Sequence, residues 1–322
     1  MARSAARAAL SIILGTLGLA LPSVALAYDW PVQPFDHQHA IRGTFDDPRT
    51  RTGRVDLDPT NPQSFHDGVD IQVPDGTPVY AIEAGEVFLV NSSAVAVVSP
   101  VWSATPPLVF GYWHIDPAVT SYQFVARHQL LGYVRAGAGH VHLSERRFGQ
   151  WMNPLRPGGL SPYVDTTKPT IEKVALRPCI PFQPVSADAL SGCVSIVARA
   201  SDRPPLPLRG AWSGVVLPPY RITWGGLFPG SWVPAAVRPT LELAHLFQGQ
   251  LDDVYAPGTR QNLPGVPGKY FFWLARNLDT TSIADGPHTI SVSASDIRGN
   301  ETSTSFTFTV ANGAATTTGD SP

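Results

Sequence analysis

Cysteine is nearly absent from this chain of 322 residues, which holds only Cys179 and Cys193. No further Cys or His lies close to either in sequence, which argues against a cysteine zinc site. In an exported protein such a pair is expected to close a small loop as a disulfide, worth about 3 kcal/mol by loop entropy. Long apolar runs are lacking as well. Beyond residue 27 no stretch approaches the roughly 20 apolar residues that a membrane span requires. Charge of one sign is also missing. The formal net charge is −2, and no concentrated basic surface is in view, which excludes an electrostatic role on nucleic acid. Long amphipathic periodicity is scarce, so helices are expected to be few and short.

What the chain does have is turn chemistry. It carries 32 Pro and 28 Gly among 43% hydrophobic residues, a composition that favours an all-β or β-rich body with many turns. The first 27 residues run from Arg3 and Arg7 through an apolar stretch, Ala8 to Leu21, to the small-residue triplet Ala25-Leu26-Ala27. That layout is expected of a cleaved secretory signal, residues 1–27, with the mature chain starting near Tyr28 and exported to the periplasm or the extracellular wall.

Histidine is unevenly placed. His37, His39, His66, His114, His128, His140 and His142 precede residue 160, and only His245 and His288 follow it. Past that point the chain becomes alternating segments broken by Pro and Gly. A first domain over 28–160, a linker at 161–168 rich in Pro and small polar residues, and a β-sandwich over 169–312 are therefore expected. The polar tail 313–322 is expected to be disordered. Strand-like alternation marks 194–200, 288–294 and 302–310, with the Pro-rich stretch 203–268 read as long loops or insertions. The first two alternating segments each lead into Ala-Ser-Asp, ending at Asp202 and Asp296, and the second continues into the turn Asp296-Ile297-Arg298-Gly299-Asn300. This closing pattern resembles bacterial immunoglobulin-like domains.

Two short motifs in the first domain carry the chemistry. Zinc in a hydrolytic site needs three neutral imidazoles or carboxylates converging from one side, with a fourth position left open. His66, Asp70 and His142 can supply that set. His140 and His142 stand at i and i+2, so on a strand both rings face one way while Val141 and Leu143 face the other. Asp67-Gly68 is expected to permit a tight bend that brings His66 and Asp70 to a common ion. Residues 79–82 and 86–90 read as paired strands, and His114 reads as a strand residue. Asp67 and Glu145 alternate away from the histidine face and read as surface charge.

In order along the chain stand His66-x-Gly68-x-Asp70, Gly76-Thr77-Pro78-Val79-x-Ala81-x-x-x-Gly85-x-Val87, Tyr112-x-His114, Gly139-His140-x-His142 and Asn153-Pro154. Together with the upstream Arg42-Gly43-Thr44-Phe45-x-x-x-Arg49, this series resembles the lysostaphin/LytM-type zinc endopeptidases over about residues 42–156. The resemblance implies an antiparallel β-sheet peptidase domain with Zn2+ held by His66, Asp70 and His142. It also implies that His114 and His140 beside the open position are catalytic, acting on the attacking water and the oxyanion. Peptidoglycan peptides are the implied substrate class. Three departures stand out: Val141-His142-Leu143 where Leu-His-Phe is common, Asp46 where a Gly often follows Phe, and three prolines between Ala94 and Phe110.

The expected function is a secreted zinc metalloendopeptidase cutting peptide bonds in peptidoglycan cross-links or stems. A non-catalytic wall-binding or adhesion module, and an exported endopeptidase for Gly-rich proteins, are the competing readings. His37, His39, His128, His245 and His288 read as ordinary surface or core histidines.

Overall fold

A computed structural model describes residues 27–50, 63–100, 107–180, 185–228, 231–232, 235–236 and 248–313. The expected signal segment up to residue 26, the tail beyond 313 and His245 lie outside the described residues. Among the described residues, no helix is long and apolar enough to cross a membrane. The chain is nearly all β, as its turn-rich composition predicts: among the described residues one helix, α1 (Gln248–Val254), and two single 3-10 turns accompany the strands.

The first region contains β1 (Ile41–Gly43), β2 (Pro48–Thr50), β3 (Gln63–Phe65), β4 (Gly68–Gln72), β5 (Pro78–Tyr80), β6 (Gly85–Asn91) and β7 (Ala94–Ser99). It continues with β8 (Leu108–Trp113), β9 (Ile115–Pro117), β10 (Phe124–Val125), β11 (Leu130–Val134), β12 (His140–Arg147) and β13 (Gln150–Met152). The main sheet is antiparallel in the order β1-β4-β12-β8-β7-β6-β10, with β13 on the end of β12. A smaller sheet runs β5-β11-β9, and β2 pairs with β3.

Two expectations change here. Residues 79–82 and 86–90 do not pair with each other: β5 pairs with β11, while β6 pairs with β7 and β10. The fully buried Ala81 and Ile82 carry the chain through the core from one sheet to the other, which a hairpin would not do. His114 is not a strand residue either. It occupies the corner between β8 and β9 at φ 65°, where the chain leaves the large sheet for the small one.

The second region holds β14 (Thr170–Pro178), β15 (Cys193–Ser201), β16 (Arg221–Phe228), β17 (Ser231–Trp232) and β18 (Ala235–Ala236). After α1 come β19 (Phe271–Asp279), β20 (Gly286–Ser295) and β21 (Glu301–Val310). They form the antiparallel sheets β14-β15-β19 and β17-β16-β20-β21, with β18 on β16. The alternation read from sequence at 194–200, 288–294 and 302–310 corresponds to β15, β20 and β21. The stretch 203–268 is more than loop, because β16 within it pairs along β20 from Arg221–Ser295 to Gly226–Ile290. Proline clusters on either side masked that strand in the sequence. Cys179 and Cys193 form the expected disulfide, joining the end of β14 to the start of β15.

Each region has its own apolar core. The first gathers Trp30, Val69, Ile71, Phe110, Tyr112, Val141 and Leu143. The second gathers Ile196, Ile222, Trp224, Phe272, Ile290, Val292 and Phe308. Phe65, from the first region, packs into the second core. The Tyr255 hydroxyl donates to the Asp46 carbonyl at 2.9 Å, Arg42 lies 4.1 Å over the Trp212 ring, and Gln72 and Arg209 exchange two hydrogen bonds. The segment 161–168 is extended yet clamped. Tyr163 and Asp165 are buried, Arg298 Nε donates to the Tyr163 carbonyl, and Asn300 Nδ2 donates to that of Asp165.

Candidate metal centre

Strand register assembles the site. β12 lies between β4 and β8, and His142 sits directly opposite Asp70 on one side and Trp113 on the other. The face of β12 that carries Val141 and Leu143 enters the core, so His140 and His142 stand on the opposite face. Gly68 permits the close approach. A side chain there would be driven into the Leu143 carbonyl oxygen and to within 2.8 Å of the His142 ring. Its role is this contact rather than a bend, since its φ is not positive.

Three donor atoms converge. His66 Nε2 lies 2.8 Å from His142 Nδ1, and Asp70 Oδ1 lies 3.2 Å from each. All three side chains are buried. Tetrahedral zinc with nitrogen and oxygen bonds near 2.0–2.1 Å spaces its donors about 3.3 Å apart, so this triangle fits the ion in size as well as in chemistry. The outer atoms of the ligands are held too. His66 Nδ1 donates to the Thr44 carbonyl at 2.8 Å, and His142 Nε2 donates toward Asp67 Oδ1 at 3.4 Å, so that Nε2 of the first and Nδ1 of the second face inward, and a metal would displace the proton that Nδ1 of His142 shares with Asp70. Arg49 donates to Asp70 Oδ2 at 2.9 Å and orients that carboxylate.

His114 and His140 stand beside this triangle with ring centroids 4.4 Å apart. His140 Nε2 is 3.5 Å from Asp70 Oδ1, and its Nδ1 meets the Ala138 carbonyl at 2.8 Å and Arg42 Nη2 at 2.6 Å. His114 is exposed where the other three site histidines are buried. The structure therefore brings together all five residues singled out by sequence.

Burial and the positive charge of Arg49 push His66 down to about 4, and burial with Arg42 and His114 pushes His140 down to about 3. Partial desolvation against its neighbours, with the charges of His142, Arg42 and Arg49, also lowers His114. These rings are neutral at physiological pH. Burial disfavours charge on His142 as well, but its bonds to Asp67 and Asp70 outweigh that and carry it up to about 9. Burial alone would raise Asp70. The neighbouring His66 and Arg49 instead hold it well below the usual carboxylate range.

Two carboxylates differ from the sequence reading. Asp67 is not idle surface charge but the partner of His142 Nε2. Glu145 is fully buried: Arg156 clasps it through two bonds of 2.6 and 2.7 Å, Arg147 approaches at 3.1 Å, and the Tyr28 hydroxyl donates to it. Alternation correctly turned Glu145 away from the histidines, but the face opposite them is interior and not solvent. Residues missed by sequence reasoning as parts of the site are Arg49, Thr44 and Asp67; Arg49 belonged to the upstream motif, which was the available signal. Of the ordinary histidines, His37 bonds Asp36, His39 bonds the Pro34 carbonyl, His128 stacks on Phe35 and His288 is buried in the second region.

An open cavity of about 860 Å³ adjoins the centre, lined by Arg42, Val73 and Gly139 from the first region and by Arg209, Trp212 and Pro264 from the second.

Residues 64–154 match the model of peptidase family M23. No curated protein matches the chain. Among solved structures, a zinc-containing peptidase from Vibrio cholerae is 24% identical, with a TM-score of 0.30 over 39% of this chain and 39% of its own. The catalytic domain of the antimicrobial peptidase lysostaphin from Staphylococcus simulans is 21% identical, with a TM-score of 0.25 over 28% of this chain and 77% of its own. The deep-sea M23 metalloprotease pseudoalterin is 15% identical, with a TM-score of 0.28 over 43% of this chain and 80% of its own.

Proposed function

We propose, from the peptidase family M23 domain at residues 64–154, that this chain is an exported zinc metalloendopeptidase that hydrolyses peptide bonds in bacterial peptidoglycan cross-links or stems. The observation that carries the proposal is the convergence of His66 Nε2, Asp70 Oδ1 and His142 Nδ1, with the His114 and His140 rings alongside. His66, Asp70 and His142 are the proposed ligands. Zinc, when bound there, supplies Lewis acidity toward the scissile carbonyl and brings the ionisation of water near neutral pH. With its Nδ1 held between the Ala138 carbonyl and Arg42, His140 turns Nε2 toward the ligand triangle, where it would exchange a proton with the attacking water and the leaving amine. His114, exposed at its left-handed corner, is placed to donate to the oxyanion. Arg49 and Asp67 hold the ligands in position.

The two cores support reading 28–160 as the peptidase domain, 161–168 as its linker and 169–312 as an immunoglobulin-like sandwich. Trp212 and Arg209 give that sandwich part of the wall beside the centre, where a peptide substrate would lie.

Mass spectrometry of muropeptides released from purified wall by residues 28–322 tests the reading. Release is expected, and it is expected to stop with chelator and in His142→Ala. Turnover that survives both would overturn a zinc mechanism. One bound zinc per chain with no turnover on any wall preparation would favour a binding module, and cleavage of Gly-rich proteins alone would move the substrate class.

A further inference from the structure

Two Ala-Ser-Asp segments noted in the sequence, ending at Asp202 and Asp296, play no part in the peptidase centre. The fold brings them together. Asp202 follows β15 and Asp296 follows β20, and the extended segment 161–168 adds Asp165, so that one carboxylate oxygen from each lies within 4.8 Å of the others. All three are buried, at 8%, 6% and 5% exposure for Asp165, Asp202 and Asp296.

Three buried carboxylates elsewhere among the described residues have a cation at hand: Asp47 and Asp70 have Arg49, and Glu145 has Arg156. Among the described residues, no Lys or Arg makes an ion pair with any of these three. Arg298, the nearest candidate, spends its Nε on the Tyr163 carbonyl and lays its guanidinium over the Tyr163 ring at 5.0 Å. The protein hydrogen bonds are also lopsided. Asp165 Oδ1 accepts from Thr167 and Asp202 Oδ1 from the Arg203 amide, while the Oδ2 of each accepts nothing from a described residue. Asp296 is engaged by Arg298 N, Asn300 N and Asn300 Nδ2.

A separate observation points the same way. Tyr163 is 92% buried, lines the same cavity of about 30 Å³ as the three carboxylates, and makes no hydrogen bond through its hydroxyl with any described residue. A buried hydroxyl normally finds a partner. Three anionic oxygens and one neutral oxygen around a space for one small occupant form an all-oxygen donor set, which suits a hard divalent cation and not zinc or copper. Irregular donors from separate segments, with room for few waters, suit Ca2+ better than Mg2+, which keeps a near-octahedral water shell.

We infer that Asp165, Asp202, Asp296 and the Tyr163 hydroxyl form a calcium site at the seam between the two cores. The ion offsets the mutual repulsion of the carboxylates and pins the connecting segment to both strand ends. Thr44 belongs to the wall of this cavity, and its carbonyl holds His66 Nδ1. Calcium therefore stiffens the backbone behind one ligand of the peptidase centre.

The test uses residues 28–322, loaded with zinc and stripped of other divalent ions, titrated with Ca2+ while thermal unfolding and Tb3+ luminescence excited through tyrosine are followed. Calcium is expected to raise the unfolding temperature, displace Tb3+ and slow amide exchange at Thr44 to Asp47. Asp202→Asn and, separately, Asp165→Asn are expected to weaken calcium binding at least tenfold while unfolding no earlier than the wild type without calcium, since each relieves repulsion. Tyr163→Phe is expected to reduce Tb3+ emission, and His142→Ala to leave the calcium response intact. No response of the wild type to millimolar Ca2+, an equal response to Mg2+, or undiminished affinity in both Asp variants would overturn the assignment.

Discussion

Asp67 shows how much a single side chain outside the ligand set can control. By accepting from His142 Nε2 it fixes which ring nitrogen faces the metal, and such partners commonly carry 10–100-fold in metal affinity. Asp67→Asn is expected to lower zinc affinity by about that factor while leaving the unfolding temperature of the metal-free protein nearly unchanged, as competition with a zinc chelator would measure. Gly68→Ala acts on the same ring by steric means. Its added methyl collides with the Leu143 carbonyl and the His142 ring, so a drop of about 100-fold in kcat/KM is expected from misplacement alone. Asp46 is a departure from the family pattern that the backbone explains. It lies at φ 67°, the left-handed region where Gly is at ease and Asp is among the better-tolerated alternatives.

At the scale of elements, the loop that leads into β12 and the strand itself are held by different means. Asp75 accepts from the Gly137 and Gly139 amides at 2.7 Å each, and those bonds keep its carboxyl below the ordinary value. A carboxyl depressed in the folded state holds its partners above its unfolded pKa and releases them as pH falls through the folded one. The Gly137 and Gly139 amide resonances are therefore expected to stay constant from neutral pH to about 4 and to shift together below it; a midpoint above that range would refute the assignment. Farther along β12, Glu145 is clasped by Arg156 in the core. Removing one member of a buried pair strands the other, so Arg156→Met is expected to cost about 3–5 kcal/mol in denaturant unfolding. The double replacement Glu145→Gln with Arg156→Met is expected to recover part of that loss, because the fully buried carboxylate charge is gone and only the more exposed Arg147 loses a partner.

Across the whole molecule, the two regions are less separable than a linker between them suggests. Phe65 packs into the second core, Tyr255 bonds the Asp46 carbonyl, and Trp212 covers Arg42 beside His140. Ending the chain at residue 165 uncovers all three contacts. Wall binding and turnover of a soluble peptide are expected to fall together in that truncation, along with its unfolding temperature. Full turnover of the soluble peptide with loss of wall binding alone would show instead that the second region only targets the enzyme. Tyr255→Phe isolates one contact and is expected to cost about 1 kcal/mol.

The sequence by itself determined the chemistry of the centre and the β character of the chain. Donor type, i and i+2 spacing on a strand, and turn-forming composition are local properties, and His66, Asp70 and His142 were legible from them as a donor set, whereas His114 and His140 were singled out through the resemblance to the lysostaphin/LytM-type endopeptidases. Alternation of residue type likewise exposed β15, β20 and β21, although β15 is buried on both faces from Val194 to Ala198. Only the tertiary structure decided what depends on distant segments meeting. It made the side of β12 opposite its histidines an interior, and so turned Glu145 from surface charge into a buried ion pair. It set β5 and β6 in different sheets, placed β16 along β20, and drew Asp165, Asp202 and Asp296 around one cavity. Period-2 alternation reports that a strand has two faces, but which face meets water, and which remote carboxylates become neighbours, follows from how the sheets pack.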